Sequence, residues 1–203
     1  MPIKPLRLAK SRLLGSGGRT DEHAELVAAV ACDTVLAARR APGVTDVVVV
    51  TSDRRLTRLL GAEGVETLAD APEAGLNAAL RHGDRLLRRR APVIRTGALQ
   101  ADLPALRPSE LGAALDAAGS DRAYCPDRQG TGTTLLLAEP GRALAPRFGA
   151  GSATAHAGTE AKCLDGPWPT LRCDVDTEHD LQLANQLGLG PRTTQHLASR
   201  TRP

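Results

Sequence analysis

The sequence predicts a single α/β domain built on a mostly parallel central sheet, and three observations predict it. Short runs of aliphatic and β-branched residues alternate with longer segments whose apolar residues recur every three or four positions. Val47 to Val50 are four consecutive valines, apolar on both faces, as expected of a strand buried in the middle of a parallel sheet. The chain has 203 residues, 41% hydrophobic and 24% charged, which suits one well-closed core without disulfides.

Taken in order, residues 20–40 predict the first helix, with Leu26, Val27, Val30, Thr34 and Val35 sharing a face. Thr20 can cap it, Asp21 and Glu22 suit its positive end, Arg39 and Arg40 suit its negative end, and Pro42-Gly43 stops it. After the valine strand come a helix over Asp53–Ala62 and a strand over Val65–Leu68. The next helix covers Leu76–Arg90, and a strand runs through Val93 and Ile94 towards Leu99. Ser109–Ala118 is helical behind Pro108, Ala123–Cys125 and Thr133–Leu137 are strands, Leu171–Val175 is the last strand and Thr177–Leu187 the last helix. The domain therefore spans 1–190, and the polar, basic residues 191–203 are expected to be a disordered tail. At the other end only Met1, Pro2 and Ile3 precede Lys4, whereas strands run about five or six residues. The first strand is thus expected to be truncated, with the natural start lying upstream.

Composition removes several classes of function. Only Tyr124, Phe148 and Trp168 are aromatic and the net charge is +3, which speaks against a nucleic-acid surface. No apolar run approaches the roughly 20 residues of a membrane span, and no secretory signal opens the chain. Cys32, Cys125, Cys163 and Cys173 show no zinc spacing, and scattered thiols suit a reducing cytoplasm.

Several motifs fall where an open α/β sheet binds ligands, at the carboxyl ends of strands. Lys4, Lys10 and Arg12 place three cations after the first strand, enough to hold a triphosphate; taken alone they also read as the solvated start of a basic helix. Gly15-Ser-Gly-Gly18 has neither the lysine nor the spacing of a phosphate loop and is expected to be a connector. Gly75 opens a helix, so its backbone can approach a ligand, and Asn77 can hydrogen-bond a base or ribose; a loop glycine and a capping asparagine give the same pattern. Asp102 follows one strand; Asp174 and Asp176 follow another and share a side by alternation. Carboxylates so placed suit Mg²⁺, which takes few carboxylates plus substrate phosphates. Asp176 could instead cap the helix that follows it. The loop Pro126–Thr134 and the Gly-rich turn Arg147–Ser152 are each expected to bind an anion through backbone N–H groups. His156 follows the second of these and is read as structural more readily than functional.

The ordered set PIKPLRLAKSRL, GLNAAL, ADLP, PDRQGTGTT, RFGAGS…H and CDVDTEHDL, over about residues 3–190, resembles the guanylyltransferases of coenzyme F420 biosynthesis, the CofC/FbiD family. The resemblance implies a Rossmann-related, glycosyltransferase-A-like nucleotidyltransferase domain. It implies transfer of GMP from GTP to a three-carbon phosphate with release of pyrophosphate, the product passing to the transferase that builds the F420 side chain. Asp102 and Asp174 would then ligate Mg²⁺, with Asp176 in support. Thr134, Gly149 and Ser152 would hold phosphoenolpyruvate, the acceptor of the bacterial branch, which Thr134 after GTGT favours. The same transfer to 2-phospholactate or 3-phosphoglycerate, and a non-catalytic nucleotide-binding regulator, are the alternatives. No general base is assigned, because the attacking phosphate oxygen is already largely ionised near neutrality, its second pKa being about 6.

Overall fold

The structure, a computed structural model, describes residues 1–3, 6, 20–70 and 74–200. Helix α1 (Thr20–Arg39) has Asp21 and Glu22 in its first turn and Arg39 in its last, so its charges oppose its dipole. It is the axle of the fold. Its Val27, Ala31 and Val35 pack into the main core with Val49, Leu56, Leu60 and Leu135. Its Leu26 and Val30 face a second cluster with Ala105, Cys173, Val175 and Leu181.

Strand β1 (Val48–Val50) is buried at all three residues, as a strand covered on both faces must be. It pairs in parallel with β2 (Glu66–Leu68). Helix α2 (Arg54–Ala62) crosses between them, with Leu56 and Leu60 turned inward. Asp53 caps it, one oxygen accepting from Arg55 N and Leu56 N (2.9 and 3.1 Å) and the other from Leu6 N (2.9 Å). On the far side of β1 the Met1–Ile3 segment runs parallel to it, with Val50 N donating to Met1 O (2.8 Å) and Ile3 N to Val50 O (2.9 Å). Met1's amine donates to Val48 O, and burial lowers its pKa to about 5. Helix α3 (Leu76–Arg90) ends in Arg88–Arg90, and Arg90 forks onto Glu66 at 2.7 and 2.8 Å.

The second sheet has the order β3-β5-β4-β6, from β3 (Gly97–Leu99), β4 (Ala123–Pro126), β5 (Thr133–Leu137) and β6 (Lys162–Cys163). β5 is antiparallel to both neighbours and β4–β6 is parallel, so the α/β fold carries mixed sheets. Helix α4 (Pro108–Ala118) begins with Pro108 at its first turn and packs on α1, and α5 (Ser152–Ala157) is a short helix after the Gly-rich turn. Helix α6 (Glu178–Leu187) opens with a reciprocal cap between Thr177 and Asp180. Asp176 is therefore not the cap.

Three expectations differ from what is found. Val93 and Ile94 are not in β3: Val93 is 81% exposed, in a turn closed by Ile94 N to Ala91 O at 3.0 Å. Leu171–Val175 shows the expected alternation, with Leu171, Cys173 and Val175 buried, yet joins no ladder among the described residues. Its ends are held separately: Glu110 Oε2 accepts from Leu171 N (3.3 Å) and from Thr170 N before it (2.8 Å), and Val175 N donates to Asp102 O (3.0 Å). Residues 191–203 were expected to be a disordered tail, but Pro191–Arg200 form helix α7 against α1. The reason is Asp33, buried on α1, whose carboxylate accepts from Arg192 N (3.1 Å), Thr193 N (2.8 Å) and Thr193 Oγ1 (2.7 Å). It supplies from another helix the cap that α7 lacks in its own sequence.

Asp33→Ala is expected to undock α7. Removing a buried acceptor of three bonds destabilises by on the order of 2 kcal/mol, read by urea unfolding, and opens the 188–200 region to proteolysis. Unchanged stability and protection would show that the cap does not hold the helix.

Candidate active site

A cleft of about 530 Å³ opens beyond the end of β3, between α1 and the turn 149–151. That is the size of ordinary small-ligand pockets. Four carboxylates line it: Asp102, Asp127, Asp174 and Asp176. Among the described residues that line it, none is Lys or Arg.

Asp102 and the 174–176 segment are brought together by the backbone. Val175 N donates to Asp102 O at 3.0 Å, so the two segments run side by side. Each is anchored from behind. Leu103 N donates to Thr34 Oγ1 (3.0 Å), whose own hydrogen goes to Val30 O on α1 (2.8 Å). Asp180 Oδ2 accepts from Asp176 N and Thr177 N (3.3 and 3.0 Å), and its Oδ1 takes Arg128 Nη2 at 3.2 Å. Asp174 is the group under electrostatic stress. Burial, then the charges of Asp102, Asp176 and Asp127, push its carboxyl up to about 7, and its buried Oδ1 has no hydrogen-bond partner.

This donor set fits a hard divalent cation. An oxygen buried without a donor, among like charges in a cleft whose described lining holds no Lys or Arg, is what a metal would relieve. Among the described residues no three such side chains come close enough to hold an ion alone. Mg²⁺ asks for less than that, since it keeps waters and takes substrate oxygens alongside one or two carboxylates.

The loop between β4 and β5 corrects an expectation. Its amides do form a nest, but the nest already holds the protein's own anion: Thr131 N and Gly132 N donate to Asp127 Oδ1 and Oδ2 at 2.9 and 2.8 Å. A Cβ on Gly132 would lie 2.4 Å from Asp127 Oδ2, so only glycine allows this approach. The loop is thus a rigid wall of the cleft. Ala153 N donates to Thr131 O (3.1 Å), fixing the Gly-rich turn against it.

The residues expected to bind ligands divide clearly. Asp102, Asp174, Asp176, Gly149 and Ser152 all line the one cleft. Thr134 does not: alternation along β5 turns its buried hydroxyl towards Cys125 O (3.4 Å), and Thr133 lines the cleft instead. Asn77 is a brace, its amide donating to Phe148 O and accepting from Phe148 N, both at 2.8 Å. It positions the Gly149 turn from below. Gly75 starts α3 with φ of 91° and its neighbour Leu76 reaches the cleft. Lys4, Lys10, Arg12 and the Gly15–Gly18 connector lie outside the described residues. Sequence reasoning missed Asp127 and Thr133. An aspartate five residues before a glycine in PDRQGTG signals a side chain capping its own loop, and strict period-two counting from Leu135 separates Thr133 from Thr134.

The fold is that of nucleotidyltransferases. A protein of Desulfovibrio desulfuricans described as a nucleotide-diphospho-sugar transferase superposes with a TM-score of 0.61 over 96% of this chain and 95% of its own, at 17% identity. A nucleotidyl transferase of Methanothermobacter thermautotrophicus gives 0.54 over 78% and 80%, at 22% identity. No model of a protein family matches the sequence. Individual relatives do. The phosphoenolpyruvate guanylyltransferase of Salinispora arenicola is 50% identical over 95% of this chain and 89% of its own. That of Streptomyces coelicolor is 48% identical over 95% and 92%. The chain belongs to the phosphoenolpyruvate guanylyltransferase family.

Asp174 sets a pH dependence. Between its unfolded value of 3.8 and about 7, the folded state holds a proton that the unfolded chain has released. Stability of the metal-free protein should therefore fall as pH rises from about 4 to about 7, and level off above. Asp174→Asn removes this dependence. In chelator its melting temperature should exceed the wild type's at pH 8, and the gap should close towards pH 4. A less stable variant at pH 8 would show that Asp174 is not under stress.

Proposed function

We propose that this protein transfers GMP from GTP to phosphoenolpyruvate, giving enolpyruvoyl-2-diphospho-5'-guanosine and pyrophosphate. The reading places it in the cytoplasm, in the synthesis of coenzyme F420, with Mg²⁺ as cofactor and the F420 side-chain transferase taking the product. Family membership supports the reaction class. The observation that carries the chemistry is the pairing of Asp102 with Asp174 in one cleft, tied by the Val175–Asp102 backbone bond.

Asp102 and Asp174 would hold Mg²⁺, which when bound screens the triphosphate's charge and that of the departing pyrophosphate. The chain's own residues then have three tasks. The 102 and 174–176 segments are fixed before substrate arrives, so alignment costs little reorganisation. The wall from Asp127 to Thr133 and the turn from Gly149 to Ser152 bound the acceptor on the side away from α1. Lys4, Lys10 and Arg12 would meet the triphosphate. The acceptor's phosphate oxygen attacks the α-phosphorus as pyrophosphate leaves, and no residue need remove a proton because that oxygen is already ionised.

Pyrophosphate release from GTP should require both phosphoenolpyruvate and Mg²⁺. 2-Phospholactate and 3-phosphoglycerate, assayed in parallel with product masses, distinguish the acceptor. Asp102→Asn and Asp174→Asn should each lower turnover by on the order of 10²-fold, the usual loss when transition-state charge stabilisation is removed. Turnover near wild type in either variant would sink the assignment. Binding of GTP without any pyrophosphate would leave a regulatory nucleotide binder as the better reading.

A further inference from the structure

His156 is fully buried, yet nothing in the reaction above uses it. Its ring lies 5.1 Å edge-on from Phe148 and 6.1 Å from Tyr124. Both nitrogens are engaged. Arg147 N lies 3.0 Å from Nε2, and a backbone amide can only donate, so Nε2 carries no proton. Burial, with Arg122 and Arg147 nearby, lowers the ring's pKa to about 4, so it is neutral and its one proton sits on Nδ1.

That fixes a direction. Nδ1 is 2.9 Å from Thr133 Oγ1, so the histidine donates and the threonine accepts. Thr133 Oγ1 is in turn 3.2 Å from Ser152 Oγ. The two hydroxyls share one hydrogen between them, in whichever direction it runs. The other hydrogen is left over, and neither hydroxyl makes a further bond among the described residues. Both side chains line the cleft. With the opposite tautomer, Thr133 would donate to the ring and Ser152 to Thr133. The cleft would then face only lone pairs, which repel an anion.

We propose that His156 is a positioning residue, and that the relay Arg147 N–His156–Thr133–Ser152 obliges the hydroxyl pair to offer a hydrogen to an oxyanion of the acceptor. The proposal rests on the functional reading above and deepens it. It makes Thr133 a further residue of the acceptor pocket and gives His156 its selectivity for charged over neutral acceptors.

The first measurement needs no variant. Long-range ¹H–¹⁵N correlation on histidine-labelled protein should show His156 neutral and protonated at Nδ1 from about pH 5.5 to 8. An Nε2–H tautomer overturns the proposal. The second is kinetic. Thr133→Val should raise KM for phosphoenolpyruvate roughly ten- to a hundredfold, the loss typical of a hydrogen bond to a charged group. KM for GTP should move less than twofold, and Thr133→Ser should restore the acceptor KM. Thr133→Val with Ser152→Ala should be no worse than the poorer single variant, since the two act in series. Equal effects on both substrates, or additive effects of the pair, would reduce His156 and Thr133 to packing. If the wild type does not turn over phosphoenolpyruvate, the functional reading fails by itself. The relay is then judged by the tautomer and by inorganic phosphate, which should shift the His156 Nδ1–H resonance; no shift overturns it.

Discussion

The constraint on which the rest of this structure depends is the crowding of like charge at the mouth of the cleft. Asp102, Asp127, Asp174 and Asp176 all line it. Left free, such side chains would splay into solvent. They cannot, because the backbone that carries them is bonded to itself and to the helices behind. The Val175–Asp102 bond joins the two segments, Thr34 on α1 holds the first and Glu110 on α4 holds the approach to the second. Stability elsewhere thus maintains a local charge arrangement that is unfavourable in itself and that the proposed cation would relieve. This is the usual relation between a rigid scaffold and a strained site.

Asp174 and Asp180 show how finely that arrangement is controlled. They are the same residue type, six positions apart, at one end of one helix. Burial acts against ionisation in both. At Asp180 it is outweighed by hydrogen bonds from Thr177 and Asp176 N and by the Arg128 pair, which hold its carboxyl below the ordinary range. At Asp174 burial is joined by repulsion from three carboxylates, and its carboxyl is pushed up to about 7. One is a satisfied structural anion; the other is buried with an oxygen, Oδ1, that no donor reaches. The difference lies in the donors and charges that surround each carboxyl, not in the residue.

That distinction marks how far the sequence could be read. Helices α1, α3 and α6 and strand β5 were legible because their signals are local: apolar spacing, charged ends, Pro and Gly stops. The carboxylates of ADLP and CDVDT stood out as acidic residues beside apolar runs, and Asp102, Asp174 and Asp176 line one cleft although only Asp102 follows a strand. Helix α7 was not, because its cap comes from Asp33, 159 positions away from Arg192. The irregular 171–175 segment was not, because the side chain that satisfies it belongs to α4. In each case the missing partner is remote in sequence, and composition near the element gives no trace of it.

The same reasoning explains why the two anion nests differ in fate. Both looked alike as strings of small residues, and glycine content alone does not distinguish a nest that waits for a ligand from one already filled. The β4–β5 loop carries its own carboxylate at Asp127, in reach of Thr131 N and Gly132 N, so it closes on itself and becomes structure. The 149–151 turn has no acidic residue of its own. It is held by Asn77, a neutral side chain that satisfies Phe148 in both directions and adds no charge to the cleft. On the proposed function the turn meets the acceptor's anion, and an uncharged brace suits that role. The choice of an amide at position 77, like the choice of a neutral histidine at 156, braces the turn without adding to the negative charge that four aspartates already bring to the cleft.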